Sequence, residues 1–130
     1  MALQIDNPYL EFLGVQLVDW SQGYAEMHLE VVPRLANRIG KVQGGVMCTL
    51  LDAVGGYAGL FVAADEPPRR NMTLSLTTNF IASEQGKLLV ARGFVERAGK
   101  SIYFARAEVK LDGELLLATG IGTFKYLRSF

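Results

Sequence analysis

The hydrophobic pattern divides the chain into one helical region and a set of strands. Residues 46–64 are apolar almost without interruption and follow directly on Gly44 and Gly45. A helix that is apolar on nearly all sides belongs in the interior of a protein. Residues 3–13 predict a short amphipathic helix with its start signal at Asp6–Asn7–Pro8.

The remaining segments alternate apolar and polar residues with the period of two that half-buried strands show. The clearest case is "GYAEMHLEVV", with Ala25, Met27, Leu29 and Val31 on one face. Four further candidate strands cover residues 73–83, 87–99, 101–111 and 114–127. Asp112–Gly113 lies between the last two and is a strong hairpin signal. The pattern predicts an α+β fold, in which five or six antiparallel strands pack one sheet face on the long helix.

Composition narrows the class of protein. The 130 residues suit a single domain over 1–130, and half of them are hydrophobic, as in an ordered globular chain. Thirteen basic residues balance thirteen acidic ones, which argues against a nucleic-acid partner. A lone cysteine, Cys48, and a first segment without a secretory signal favour the cytoplasm. Asp52 and three glycines within residues 46–64 argue against a membrane span.

Asp52 is the one acid in this apolar stretch and the first candidate for chemistry. A buried carboxylate needs partners or a purpose, and burial makes a carboxylate a stronger base near neutral pH. An ion-pair network is the structural alternative. Gly44 and Gly45 would leave free backbone N–H groups at the positive end of the helix dipole, where donors can hold an oxyanion. A tight turn that requires glycine explains the same pair. Eight residues separate Gly44 from Asp52, about two turns, so both could line one groove.

The stretch "NRIGKVQGGVMCTLLDAVGGYA" resembles the signature of hotdog-fold acyl-CoA thioesterases, specifically the phenylacetate-pathway (PaaI-like) subgroup. Its pattern N-x-x-G-x-x-H-G-G, followed by a helical Asp, is matched here by Asn37, Gly40, Gly44, Gly45 and Asp52. The resemblance continues through "TLSLTTNFI", "AGKSIYFARAEV" and "LATGIGTF". It implies a hotdog fold, with the antiparallel sheet wrapped around one long central helix. The histidine of the pattern is replaced by Gln43, and His28 lies elsewhere.

The resemblance implies hydrolysis of acyl-CoA thioesters without a metal or another cofactor. By this analogy the Gly44 N–H polarises the thioester carbonyl, with help from Gln43, and Asp52 acts as general base or nucleophile. Asn37 would position the water or the carbonyl, and Thr73 would orient the carboxylate or the water. Gln43 as an ordinary loop residue and Thr73 as an ordinary strand residue are the plain alternatives.

The resemblance also implies how coenzyme A is held and how chains assemble. Gly45, Arg97, Lys100 and Ser101 correspond to the substrate-binding region, and Arg69 and Arg70 are further candidates for the phosphates. Solvated surface charge is the alternative for each of these basic residues. The expected assembly is a homodimer or homotetramer with active sites between subunits, without nucleic acid or membrane as a partner.

Two other functions stay open at this stage. A hotdog protein that binds acyl-thioesters without turnover is consistent with Gln43. A lyase of the same fold is disfavoured, because the motif region contains no histidine. The acyl group itself is not defined by the sequence; the candidates for its pocket, which could equally be core, are Tyr57, Leu60, Phe61 and Phe80.

Overall fold

A computed structural model describes residues 3–128, which form two α-helices, six strands and a short 3₁₀ turn. The elements are α1 (Pro8–Leu13), β1 (Gln16–Ser21), β2 (Tyr24–Glu30), the 3₁₀ turn (Pro33–Leu35), α2 (Gly44–Ala58), β3 (Arg70–Phe80), β4 (Leu88–Ala98), β5 (Ile102–Leu111) and β6 (Leu115–Leu127). All six strands join one antiparallel sheet in the order β1-β2-β4-β5-β6-β3. The predicted α+β class and strand number are confirmed.

The helix α2 packs against one face of this sheet and supplies the centre of the core. Leu50, Leu51 and Val54 of α2 have no exposed surface. They pack with the inward face of β2, where Met27 is fully buried and Leu29 nearly so. The alternation read from the sequence of β2 is therefore confirmed, and burial of these side chains is what holds the helix on the sheet.

The long helix ends earlier than its apolar sequence predicts. The prediction extended it to residue 64, whereas α2 ends at Ala58 with Gly59 as its C-cap. Two tyrosines account for the end. The Tyr103 ring lies against the Cα of Gly59 where a side chain would otherwise stand, and the Tyr126 hydroxyl donates a 2.8 Å hydrogen bond to the Gly59 carbonyl oxygen. Within residues 3–128 the structure has no helix long and apolar enough to cross a membrane.

The first helix is also shorter than predicted. It begins at Pro8, because the Asn7 side chain caps it by accepting a 3.0 Å hydrogen bond from the Leu10 amide. Upstream of this cap, Leu3 forms an isolated bridge with Leu17 of β1 instead of a helical turn. The start signal was correct, but Leu3, which lies before it, pairs with the sheet.

The strand β3 lies at one edge of the sheet and keeps apolar side chains in solvent. Phe80 is 54% exposed, and Met72 and Leu74 of β3 and Ile81 directly after it are similarly uncovered. One side of β3 pairs with β6, with an irregularity between Thr73 and Ser75, while the other side has no neighbouring strand in the sheet. An uncovered, apolar edge of this length is an established feature of surfaces that pair with another chain.

We expect Gly93 of β4 to be essential for seating α2 on the sheet. A Cβ at Gly93 would overlap the carbonyl oxygen of Val54, a backbone atom of α2 that cannot rotate away. The Gly93→Ala substitution should therefore lower the free energy of unfolding by about 1–3 kcal/mol, as overpacking does. Denaturant unfolding followed by circular dichroism measures this. Gly45→Ala is the matched control, because nothing lies within 4 Å of a Cβ at Gly45; equal stability of both variants would contradict the prediction.

Candidate active site

The chain enters α2 through a closed turn built on Asn37. The Asn37 side-chain oxygen accepts hydrogen bonds from the amides of Ile39, at 3.0 Å, and Lys41, at 3.1 Å. Its backbone N–H donates to the Lys41 carbonyl at 2.6 Å, and Gly40 completes the turn with a φ of 82°. The Asn37 side-chain oxygen thus stabilises the turn that precedes α2. The role predicted for Asn37 in positioning the water or the carbonyl stays a prediction.

The start of α2 presents free backbone donors. Gln43 is the N-cap, with φ −62° and ψ 135°, and its carbonyl accepts from the Val46 amide at 3.0 Å. The amides of Gly44 and Gly45 lie in the first turn, where a helix provides no intrahelical acceptor. The exposed Gln43 side chain makes no capping hydrogen bond. We call Gln43, Gly44 and Gly45 the entrance half-site, since such amides can bind an anionic oxygen.

Asp52 lies in the middle of α2 and is held by a strand residue. The Thr73 hydroxyl of β3 donates a 2.6 Å hydrogen bond to Asp52 Oδ1. Asp52 is only half-buried, less than its apolar neighbours in the sequence predict. The reason is that Asp52 faces the cleft between α2 and the exposed edge strand, while Leu51 beside it faces the core. We call Asp52 and Thr73 the carboxylate half-site.

A cavity of about 180 Å³ surrounds the carboxylate half-site. Its lining includes four polar residues that sequence reasoning missed: Asn7, Tyr9, Thr49 and Asn71. Asn71 was detectable in principle, because it precedes Thr73 by two residues and so shares its face of β3. The predicted strand began only at Thr73. Asn7 and Tyr9 come from the segment around the start of α1, and no local signal connects that segment with Asp52.

A second cavity of about 610 Å³ adjoins the first and shares Asn7, Tyr57 and Asn71 with it. Of the predicted acyl-pocket residues, Tyr57 and Leu60 line it, together with Trp20, which sequence reasoning did not identify. The other two lie elsewhere. Phe61 packs edge-on against the Trp20 ring, and the Phe80 ring lies 3.5 Å from where a Cβ on Gly44 would be.

The buried Tyr103 links helix α2 to strand β3 through two hydrogen bonds. The Tyr103 hydroxyl donates to the Gly56 carbonyl of α2 at 2.6 Å and accepts from the Asn71 side-chain amide at 2.6 Å. Burial raises the pKa of Tyr103 far above its usual value, so the hydroxyl keeps its proton. Burial also raises the pKa of Tyr57, with a smaller contribution from the charge of Asp6. Both tyrosines are therefore neutral hydrogen-bonding groups at neutral pH.

The residues predicted to hold coenzyme A lie apart from both cavities. Arg97, Lys100 and Ser101 are exposed around the turn between β4 and β5 and line neither cavity. Arg69 and Arg70, the further candidates, do line the larger one. Within one chain, Arg69 and Arg70 thus line the cavity that shares residues with the one around Asp52, whereas Arg97, Lys100 and Ser101 line neither cavity.

The single histidine belongs to a separate cluster on the outer face of the sheet. His28 Nε2 lies 2.7 Å from Glu26 Oε2, and Arg92 and Tyr24 also hydrogen-bond to Glu26. Burial raises the pKa of Glu26, but these hydrogen bonds outweigh it and lower the pKa overall. Across residues 3–128, no three His, Cys, Asp or Glu side chains are grouped closely enough to hold a metal ion.

The two half-sites are separated within one chain. Asp52 follows Gly44 by eight positions in the helix, which correspond to about 12 Å along the axis, and Gly44 does not line the cavity around Asp52. Acid–base chemistry and oxyanion binding each act at about 3 Å. One carbonyl group therefore cannot contact both the Gly44 amide and a water held by Asp52 of the same chain. The prediction that Gly44 and Asp52 line one groove is wrong for an isolated chain.

Comparison with known proteins agrees with this architecture. A conserved protein of Pseudomonas aeruginosa of known structure is 31% identical, with a TM-score of 0.82 over 93% of this chain and 94% of that one. The E. coli PaaI protein from the phenylacetic acid degradation operon superimposes with a TM-score of 0.81 at 19% identity, over 94% of this chain and 86% of that one. The 1,4-dihydroxy-2-naphthoyl-CoA hydrolase of Listeria monocytogenes is 26% identical, over 82% of this chain and 85% of the relative.

The six-stranded sheet packed on one long helix is the hotdog fold, as the sequence predicted. Residues 39–118 match the sequence model of the Thioesterase superfamily, and this chain belongs to that superfamily. The membership supports thioester hydrolysis in general terms.

Proposed function

We propose that this protein hydrolyses acyl-CoA thioesters to a free acid and coenzyme A, as a PaaI-like member of its superfamily in the cytoplasm. The observation that carries the proposal is the 2.6 Å hydrogen bond from Thr73 to Asp52 inside a cavity. The Listeria relative is named as a hydrolase of an aromatic CoA thioester, and the PaaI structure shares the fold. The Listeria relative supports the substrate class, and the PaaI structure supports the fold alone.

The carboxylate half-site supplies the group that starts the reaction. Thr73 occupies Asp52 Oδ1, which leaves Oδ2 to take a proton from water. The water oxygen then bonds to the carbonyl carbon, the C–S bond breaks, and coenzyme A leaves as a thiolate that takes up a proton. In the alternative route, Asp52 attacks the carbonyl carbon itself, the C–S bond breaks to release the coenzyme A thiolate, and water then hydrolyses the resulting anhydride to the free acid and Asp52. Both routes require the carbonyl oxygen to be held while it carries negative charge.

A dimer through the edge strand would complete the site. Thr73 of β3 touches Asp52, and Phe80 of β3 lies beside Gly44. Antiparallel pairing of two β3 strands about a two-fold axis between Leu76 and Thr77 sets Thr73 opposite the partner's Phe80. Asp52 then faces the partner's Gly44 across the joined sheets. This pairing also covers the apolar edge, and a homotetramer would be a pair of such dimers.

Coenzyme A would extend from this interface toward basic residues. The remote position of Arg97, Lys100 and Ser101 from the cavities of their own chain is consistent with phosphate contacts to a substrate bound mainly by the partner. Arg69 and Arg70 line the larger cavity, which shares Asn7, Tyr57 and Asn71 with the cavity around Asp52. Gln43, exposed beside Gly44, can donate its amide hydrogen to the carbonyl oxygen but cannot transfer a proton.

We expect the Thr73 hydroxyl to act as a positioning group for Asp52. Thr73→Val removes the donor and should lower kcat about 10- to 100-fold, the range for a hydrogen bond to a charged group, with a smaller change in KM. Thr73→Ser keeps the donor and should restore most of the rate. Steady-state kinetics with one acyl-CoA measures both variants. A Ser variant as slow as the Val variant would show that the hydroxyl has no such part.

Binding of acyl-thioesters without turnover is the second candidate function, and Gln43 is the observation that favours it. Thiol release from a panel of acyl-CoA substrates separates the two candidates. Turnover by the native protein that is lost in Asp52→Asn supports hydrolysis. Saturable binding of acyl-CoA without thiol release on any substrate supports the binding function.

A further inference from the structure

Asn71 of β3 lines the cavity around Asp52, and the proposed reaction gives it no part. We propose that the Asn71 side-chain oxygen holds the attacking water against Asp52, and that the buried Tyr103 fixes Asn71 in the orientation this requires. Asn71 is then a catalytic residue, and Tyr103 is a positioning residue that acts through it. The inference rests on the proposed function and, within it, on the route in which Asp52 is the general base.

The Tyr103 hydroxyl determines which way the Asn71 amide points. Tyr103 is fully buried, and its hydroxyl oxygen lies 2.6 Å from the Gly56 carbonyl oxygen and 2.6 Å from Asn71 Nδ2. A carbonyl oxygen can only accept, so the single hydroxyl proton goes to Gly56. Toward Asn71 the hydroxyl can therefore only accept, which requires the NH₂ group of the amide to face it. The opposite orientation of the amide would place two acceptor oxygens against each other.

This orientation leaves Asn71 Oδ1 free to accept a hydrogen bond from water. Within residues 3–128 this oxygen accepts no hydrogen bond, while every fully buried side-chain oxygen or nitrogen there has a partner. Asn71 Oδ1 is therefore open to solvent. Two other side-chain oxygens of the cavity are engaged locally, because the Asn7 oxygen caps α1 and the Thr49 hydroxyl donates within α2.

Asn71 and Thr73 lie side by side against α2. They are two residues apart on β3, so they share one face of the strand at a spacing of about 6.5 Å. Thr73 donates to Asp52, and Asn71 is tied to Gly56 through Tyr103. Asp52 and Gly56 are four residues apart, about 6 Å along the helix axis. The matched spacings place Asn71 one helical turn from the Thr73–Asp52 contact, in the cavity that Asp52 and Gly56 also line.

A water between the two acceptors is oriented for attack. Asp52 Oδ2 accepts one of its protons and Asn71 Oδ1 holds the other, so a lone pair of the water oxygen faces the thioester. As the C–O bond forms, the first proton passes to Asp52; the C–S bond then breaks, and the thiolate takes up that proton. The cavity of about 180 Å³ has room for a water, which needs about 30 Å³, beside the reacting group.

Steady-state kinetics of three variants, with an acyl-CoA that the native protein hydrolyses, tests the inference. Asn71→Leu removes the acceptor at similar volume and should lower kcat about 10- to 100-fold, with a change in KM below about threefold. Tyr103→Phe keeps the ring, whose centroid lies 5.0 Å from that of Phe124, but releases the Asn71 amide; it should lower kcat about 10-fold. Because Tyr103 acts through Asn71, the double variant should be no slower than Asn71→Leu alone.

Unfolding measurements separate this role from a merely structural one. Tyr103→Phe leaves the Asn71 amide without its partner and should lower the denaturant midpoint. The double variant replaces both groups of that hydrogen bond by apolar ones, so its midpoint should recover toward the native value while its kcat stays low. A double variant whose kcat recovers together with its stability, or an Asn71→Leu protein with native kcat, would overturn the proposal.

The matched controls carry the same substitutions away from Asp52. Tyr126→Phe also removes a tyrosine hydrogen bond to a carbonyl oxygen at the end of α2, and Asn79→Leu changes an exposed residue of β3 outside the cavity. Both should keep kcat within about twofold of the native value. A loss in Tyr126→Phe equal to that in Tyr103→Phe would overturn the positioning role. Native turnover with unaffected Asn71 and Tyr103 variants refutes this inference alone, whereas absence of native turnover refutes the proposed function and the inference with it.

Discussion

Asp52→Asn is expected to lower kcat/KM for acyl-CoA hydrolysis by about 10³-fold, equivalent to about 4 kcal/mol of transition-state stabilisation. The asparagine amide can neither take a proton from water nor attack the carbonyl carbon. It still fits the space of the carboxylate and can accept the hydrogen bond that Thr73 donates at 2.6 Å. The substitution should therefore lower the rate of hydrolysis without changing the fold. Initial rates of thiol release at saturating and limiting substrate measure it.

The control for Asp52→Asn is a second Asp→Asn substitution, which removes one negative charge outside the site. Asp65 is exposed in the loop after α2 and lines neither cavity, so Asp65→Asn should keep the native rate. The free energy of unfolding of Asp65→Asn should match that of the native protein to within about 0.5 kcal/mol, as surface changes usually do. Denaturant unfolding of both variants shows whether Asp52→Asn is folded. An Asp52→Asn protein that is folded and nearly as active as the native one would exclude Asp52 as base or nucleophile.

Gly44→Pro is expected to lower kcat by about 10²- to 10³-fold, the usual effect of removing one donor to an oxyanion. Gly44 is the first residue of α2, where proline fits because its missing N–H has no intrahelical acceptor. The extended backbone of Gln43 suits a following proline. The substitution thus deletes the amide hydrogen of the entrance half-site and leaves the helix intact. Steady-state kinetics together with thermal unfolding measures both effects.

Gly44→Ala is the matched control for the proline variant. Its Cβ would lie 3.5 Å from the Phe80 ring, an ordinary van der Waals distance, and its N–H remains in place. The alanine variant should therefore keep most of the activity, while the proline variant loses it with no loss of stability. Equal activity of the two variants would show that the Gly44 amide does not hold the carbonyl oxygen.

The sequence predicted the elements whose side chains have one buried face. The strand β2 alternates cleanly because Ala25, Met27 and Leu29 pack on α2, and the hairpin at Asp112–Gly113 follows from local turn chemistry. The C-terminal end of α2 was not predictable in this way. It is set by Tyr103 and Tyr126, which come from strands more than 40 residues further along the chain.

The candidate site was likewise predictable only where its residues belong to a local sequence motif. Asp52, Gly44 and Thr73 followed from a local motif and its resemblance, and Thr73 does lie beside Asp52. Three features required the fold: the half-burial of Asp52, the polar lining from Asn7 and Asn71, and the adjoining cavity with Trp20. Each depends on packing between segments that are distant in sequence. The spacing of Gly44 and Asp52 can be read from the sequence. Whether the two residues serve one site depends on the edge strand β3, which a second chain would cover.

The most direct test of a site shared between two chains is a mixture of two inactive proteins. Equal amounts of Asp52→Asn and Gly44→Pro chains are unfolded together, refolded, and assayed for thiol release from an acyl-CoA. Half of the dimers should be mixed, and each mixed dimer has one site with Asp52 and the Gly44 amide both intact, so the mixture should recover about one quarter of the native activity. A mixture that forms mixed dimers but stays as inactive as its two components would contradict the account.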